Sequence, residues 1–247
     1  MKLERKSFNT IIILVEPNGP LNVGSVARLC KNFKVNELRI VSPKCDIFSL
    51  ETTKMALKGI NYINNCNLYE TLFDAINDCD LVLASCGRLE QSDELNPSSL
   101  EEVSSWINSL NEINNLAVVF GREDRGLTNK ELLLSNKVFT INANQNYPSL
   151  NLSHAVSIVL YELSKFPPKI KSKNESTSEL ATPTEIDICL KDMEKILKKV
   201  GYLLNNTSEA KMSKFKRFIV RAETSKHELN IIRGIIHQFN WALRNLN

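Results

Sequence analysis

Over residues 1–165, strand-like and helix-like segments take turns, and this alternation restricts the fold more than any other feature of the chain. Thr10 to Glu16 is a short apolar, β-branched run stopped by Pro17, the pattern of a buried strand. Asn22 to Lys34 reads as a helix, with Val23, Val26, Ala27, Cys30 and Phe33 recurring at helical spacing. Glu37 to Val41 reads as a strand, Tyr69 to Asn77 as a helix and Leu81 to Ala84 as a strand. Leu100 to Leu110 reads as a helix, Leu116 to Phe120 and Lys137 to Ile141 as strands, and Leu150 to Leu163 as a strongly apolar helix. A β-α-β-α order of this kind predicts an α/β layer fold with a mainly parallel sheet.

At 247 residues the chain is long enough for one to two domains. Phe166-Pro167-Pro168 ends the last helix, and residues 166–184, rich in Lys, Ser, Thr, Asn and Glu, read as a flexible linker. Residues 185–247 read as all-helical. Ile186, Leu190, Met193, Ile196, Leu197 and Val200 mark one amphipathic helix, and Phe215, Phe218 and Ile219 a second. Leu229, Ile232, Ile235, Ile236, Phe239 and Leu243 mark a third. So short a piece makes only a small core, which predicts a helical module that docks on a partner.

Several classes are disfavoured. The longest apolar run, Ile11 to Val15, is far short of the roughly 20 residues that span a bilayer. Met1 to Asn9 carries charges without the apolar segment or cleavage site of a secretory signal, so a cytoplasmic protein without membrane attachment is expected. The six cysteines form no C-x-x-C pair and have no histidine at zinc-ligand spacing, so no metal is expected. Neither a P-loop, nor the G-x-G-x-x-G dinucleotide fingerprint, nor a G-x-S-x-G elbow is present. His154, His227 and His237 all fall on predicted helices and read as helix residues rather than catalysts.

Charge is unevenly spread. Residues 1–165 hold 16 Lys and Arg against 19 Asp and Glu, whereas residues 185–247 hold 12 against 7. Lys211, Lys214, Lys216, Arg217 and Arg221 form a stretch without an acid. Spacings of three and four put several on one helical face, which is either a solvated surface or a patch that tracks phosphates.

Three loops that follow predicted strands stand out, because ligands of open α/β sheets gather at the carboxyl ends of strands. In Asn22-Val23-Gly24-Ser25-Val26-Ala27-Arg28, Asn22 suits a helix N-cap, and small residues invite close approach of a backbone or ligand. A capped helix with a surface Arg explains this loop equally well. Phe120-Gly121-Arg122-Glu123-Asp124-Arg125-Gly126-Leu127 packs four charges between two glycines, as a site, an interface or a solvated turn would. Tyr147-Pro148-Ser149-Leu150-Asn151-Leu152-Ser153 offers hydroxyl and amide groups at a helix start, for capping or for a ligand.

Together the loops resemble the motifs of the SpoU/TrmH family of RNA 2′-O-methyltransferases, of the SPOUT class. The matches are N-x-G-x-x-A-R (Asn22 to Arg28), F-G-x-E-x-x-G-L (Phe120 to Leu127) and S-L-N-x-S (Ser149 to Ser153), in family order. The tail, Lys211 to Arg221 and Glu228 to Ile235, looks like the helical C-terminal extension of the TrmJ-type branch, which methylates the ribose at position 32 of tRNA.

The resemblance implies a SPOUT-type parallel sheet with helices on both faces and a trefoil knot, S-adenosylmethionine as methyl donor, and a homodimer sharing its sites. It implies a donor pocket of Ser85, Cys86, Gly87, Gly121, Ile141, Pro148, Ser149 and Leu150. Arg28 would stand at the reacting ribose hydroxyl, positioned with Asn22, Glu123 and Asn151, while Ser149 touches both substrate and donor. A guanidinium stays protonated, so a grip on the neighbouring phosphate suits Arg28 better than a base role. RNA contacts are expected from Arg28, Arg122, Lys211, Lys214, Lys216, Arg217, Arg221 and Arg233. The alternatives are methylation of rRNA or of another tRNA position, or an RNA-binding protein that keeps the fold without turnover. Which pyrimidine is accepted is left open.

Overall fold

A computed structural model of the protein describes residues 8–87, 97–110, 113–144, 146–165, 180–204 and 207–245. Phe166-Pro167-Pro168, most of the expected 166–184 linker, and Met1 to Ser7 lie outside the described residues. The chain divides into two compact units, Met1–Lys173 and Asn174–Asn247.

The first unit runs β1 (Asn9–Val15), α1 (Pro20–Phe33), β2 (Glu37–Val41), α2 (Leu50–Ala56), α3 (Ile60–Asn64), β3 (Asn67–Tyr69) and α4 (Leu72–Ala75). It continues with β4 (Leu81–Ser85), β5 (Ser98–Ser99), α5 (Leu100–Ser109), β6 (Asn115–Phe120), α6 (Asn129–Leu132), β7 (Lys137–Thr140) and α7 (Leu152–Ser164). Seven strands form one sheet in the order β3-β2-β1-β6-β4-β7-β5, every pair parallel.

Central β1 pairs Ile12 with Leu38 on one side and with Val118 on the other. Its five apolar residues are buried on both faces, as parallel strands require. Ile11, Ile13 and Val15 join a core with Leu72 and Ala75 of α4 and Leu132 of α6. Ile12 and Leu14 point the other way. The buried side chains of α1 (Val23, Val26, Ala27, Cys30) and α7 (Val156, Val159, Leu160, Leu163) lie outside that cluster and serve the opposite face. Each fully buried aliphatic side chain stabilises the fold by about 1.5–3 kcal/mol.

One expectation needs correction, and one open reading is decided. The helix read over Tyr69 to Asn77 shrinks to Leu72–Ala75, because Tyr69 ends edge strand β3, paired with Val41. The smallness of Gly24 serves a neighbouring helix rather than a ligand. A Cβ there would lie 2.4 Å from the Thr52 carbonyl oxygen, so glycine lets α1 press against α2.

The second unit comprises α8 (Pro183–Lys199), α9 (Ser208–Arg221) and α10 (Lys226–Asn245). Capping boxes start it crisply: Thr182 with Glu185 opens α8, and Ser225 with Glu228 precedes α10. Ala181, Ile186, Cys189, Leu190, Ile196, Ile219, Leu229 and Ile236 form its small core, joined by Met193, Met212 and Phe215. Phe218, Ile235, Phe239 and Val200, all on the apolar stripes read from spacing, are exposed. From α9, Ile219 is the buried member of this core, with Met212, Phe215 and Val220 packed against it.

Candidate active site

Glu123 is the hub of the site. It follows β6, and its carboxylate accepts from the backbone N–H of Asn18 (3.0 Å) and Gly19 (3.1 Å) and from the Asn22 side-chain amide (3.1 Å). Helix α1 begins at Pro20 with Gly19 as N-cap, and it has neither a side-chain cap nor an acid in its first turn. Glu123 therefore supplies from a distant loop the negative charge that a helix N-terminus favours. Asn22, expected as the N-cap, lies instead within the first turn.

Because a carboxylate only accepts, the Asn22 NH2 group must face Glu123, which turns its carbonyl oxygen outward. That oxygen accepts from the Asn151 side-chain amide at 3.0 Å. Asn151 is the N-cap of α7, and its own carbonyl oxygen accepts from the Ser153 N–H at 2.9 Å and the Ser153 hydroxyl at 2.7 Å. One residue from each of the three strand-end loops is thus joined in a single chain of hydrogen bonds.

The loop after β6 closes on itself. Arg122 and Gly126 exchange backbone hydrogen bonds at 3.3 and 2.9 Å. A Cβ on Gly121 would lie 2.2 Å from the Gly126 carbonyl carbon, so only glycine permits the closure. Arg122 points inward, its side chain 9% exposed. It donates to Glu16 at 2.8 Å and, through both terminal nitrogens, to Glu131 at 2.9 and 3.0 Å. Hydrogen bonding to Arg122 holds the Glu16 carboxyl below the usual carboxylate range. Burial pushes the Glu131 carboxyl up, but hydrogen bonds from Arg122 and Thr128 outweigh it and leave the group lowered. Arg122, expected among the RNA contacts, is a loop fastener whose charge is already matched.

A cavity of about 260 Å³ opens at the carboxyl ends of β4, β6 and β7. Its lining includes all eight residues expected to hold a donor: Ser85, Cys86, Gly87, Gly121, Ile141, Pro148, Ser149 and Leu150. Glu123 and Asp124 add carboxylates, and Phe139, Val138 and Leu152 add apolar wall. Among the described residues, no atom lies within 4 Å of where a Gly87 Cβ would stand, so none of them fills the rim there. Arg88, which follows, lies outside the described residues. Sequence marked Phe139 and Val138 only as strand residues and Asp124 only as one of the four charges of its loop.

Asn22, Asn151 and Arg28 are not on the lining. Arg28 is exposed on α1, six residues beyond Asn22 and so about 9 Å further along the helix axis. No partner is recorded for its guanidinium among the described residues.

The expected cations of the tail separate into two sets. Lys211 donates to the Tyr202 carbonyl at 3.0 Å and lies 4.3 Å from that ring's centroid. Lys216 is half-buried near Asp187 and Lys191, and burial pushes its ammonium pKa down. Arg233 lies half-buried, close enough to Cys189 to influence its thiol. Lys214 and Arg221 are exposed, and Arg217 is partly so. Among the described residues, no group of three or more metal-binding side chains occurs, and no helix is long and apolar enough to cross a membrane.

The family model described as the SpoU rRNA Methylase family matches residues 9–161, the stretch that carries all three loops. The chain belongs to the SpoU methylase family. A second model, the C-terminal domain of tRNA methyltransferase TrmJ, matches residues 184–247. The tRNA (cytidine-2′-O-)-methyltransferase TrmJ of Sulfolobus acidocaldarius is 41% identical over 153 residues, 62% of this chain and 63% of that protein. The tRNA (cytidine/uridine-2′-O-)-methyltransferase TrmJ of Shigella dysenteriae is 32% identical over 234 residues, 92% of this chain and 94% of the other. A crystal structure of TrmJ from Z. mobilis superposes with a TM-score of 0.79 at 24% identity, covering 94% of this chain and 99% of that one, and so shares the fold. As a SpoU methylase the chain is a methyltransferase, and the donor of this family is S-adenosylmethionine.

Proposed function

We propose that this protein is a cytoplasmic enzyme that methylates a ribose 2′-hydroxyl of tRNA, at position 32 of the anticodon loop, on cytidine, uridine or both. The observation that carries the reading is the joining of Asn22, Glu123 and Asn151 beside a cavity lined by all eight expected donor contacts. The TrmJ C-terminal domain match supports tRNA over ribosomal RNA, the substrate for which the wider family is named.

The donor fits these residues. Its adenine and ribose call for apolar walls and a close backbone, which Ile141, Leu150 and the 120–127 turn offer, while Gly87 adds no side chain at the rim. Glu123 and Asp124 suit its positive charge. When bound, it supplies a methyl carbon activated by a sulfonium. With the donor held there, the ribose oxygen would take that methyl carbon as the carbon–sulfur bond gave its electron pair to sulfur, and the hydroxyl proton would pass to solvent water. The leaving group is already good, so this chain contributes mainly orientation, worth several kcal/mol in such displacements. Ser149 on the lining holds the ribose in reach, and the Glu123–Asn22–Asn151 chain fixes the loops around it. Arg28 grips the adjoining phosphate with its planar fork of donors.

The protein works as a homodimer in this reading, with the SPOUT trefoil threading around the donor. Arg28 is absent from its own cavity's lining, and exposed Leu21, Ile158 and Tyr161 stand on α1 and α7, which favours a shared site. Labelled methyl transfer to bulk tRNA, followed by mapping of the modified nucleotide, tests the whole proposal. Transfer to ribosomal RNA alone, or to another tRNA position, would replace the assigned substrate.

A further inference from the structure

Phe218 is a large aromatic residue with its side chain in solvent. Helical spacing puts it on the apolar stripe of α9, yet it is 60% exposed while its stripe neighbours Phe215 and Ile219 pack into the core of the second unit. Along α9 it has Lys214 four residues before it and Arg221 three after, both exposed. At about 100° per residue, these three side chains fall within a 60° arc, one above another. Neither cation has a recorded partner among the described residues. An isolated exposed apolar residue is ordinary. An aromatic ring centred in a row of unneutralised cations is the arrangement that single-stranded nucleic acid recognises, ring against base and cations against phosphates.

We propose that Phe218 is a stacking platform for one unpaired nucleobase of the RNA substrate, with Lys214 and Arg221 holding backbone phosphates on either side. The inference rests on the tRNA reading above and names the residue through which the tail meets an unstacked base. The positive charge of the row favours RNA as occupant over a second copy of this basic helix, which it would repel.

The test uses the full-length protein and a synthetic anticodon-arm hairpin carrying a fluorescent base analogue in its loop. Phe218→Ala is expected to weaken binding about 10-fold to 100-fold and to abolish the analogue's quenching. Phe218→Trp should restore both, and Phe218→Leu, apolar without a π face, should behave like Ala. The salt dependence of binding should be unchanged in Phe218→Ala, whereas Lys214→Ala and Arg221→Ala each lower its slope by about one. Wild-type affinity in Phe218→Ala overturns the proposal, as does full rescue by Leu or a change of oligomeric state on sedimentation. If the wild-type protein does not bind the hairpin, the tRNA reading itself fails. If it binds and Phe218 proves neutral, only the stacking role fails.

Discussion

The Asn151 side-chain amide donates to the Asn22 carbonyl oxygen at 3.0 Å, across 129 residues of sequence. This bond fastens the start of α7 to the first turn of α1, and Glu123 holds the other end of Asn22.

Loss of the middle link should loosen both neighbours. Asn22→Ala leaves Glu123 and Asn151 each short of a partner and is expected to cost about 1–3 kcal/mol in urea unfolding. Asn22→Asp should cost more at pH 7, because it sets a second carboxylate against Glu123, and the excess should shrink as pH falls through the carboxylate range. Equal stability of the two variants at pH 7 would show that the contact is not made.

Arg122 gives the loop after β6 a defined acid sensitivity. Glu16 and Glu131 both have folded-state pKa values below their ordinary 4.5. Their stabilising contribution is therefore complete above pH 4.5 and lost as pH falls through the lower folded values. Unfolding free energy should decline in that acidic window, and Arg122→Leu should lower stability at pH 7 and flatten the decline.

Two glycines should respond in opposite ways. Gly24→Ala forces a methyl group against the Thr52 carbonyl and is expected to cost about 1–3 kcal/mol, seen as a lower Tm. Gly87→Ala meets no atom of the described residues, so Tm should hold while titration calorimetry shows weaker S-adenosylmethionine binding.

Arg28→Ala should abolish methyl transfer and keep donor affinity within a few-fold. Near-normal methylation by this variant would remove Arg28 from the catalytic machinery.

Removing residues 185–247 should cripple tRNA binding at matched salt while leaving donor binding nearly intact. The first unit has its own core, which makes the truncation a fair test. Equal tRNA affinity in the shortened chain would relocate the RNA surface.

Much of the fold was legible because buried parallel strands announce themselves as apolar runs. Glu37–Val41 has its expected bounds, the strands at 81–85, 115–120 and 137–140 differ by a residue at one end, and the strand at 9–15 differs by a residue at each end. The edge strands at 67–69 and 98–99 are too short to show any period, and no periodic run drew attention to α2 and α3. At the site, polar residues between glycines at strand ends marked the loops, but not which charges point inward. Arg122 and Arg125 look alike in sequence, yet one is buried between two carboxylates and the other is 58% exposed. Phe215 and Phe218 are equally ambiguous, since both positions fit an apolar stripe until the partner helix α8 selects one.

The first helix behaves as a rigid ruler. Its origin is clamped by a carboxylate from another loop, and its flank is wedged against α2 where only glycine fits. One added residue between Asn22 and Arg28 would swing the guanidinium about 100° around the axis. Insertions elsewhere in the chain can be absorbed by loops, but within this interval length itself is under constraint, independently of which side chains occupy it.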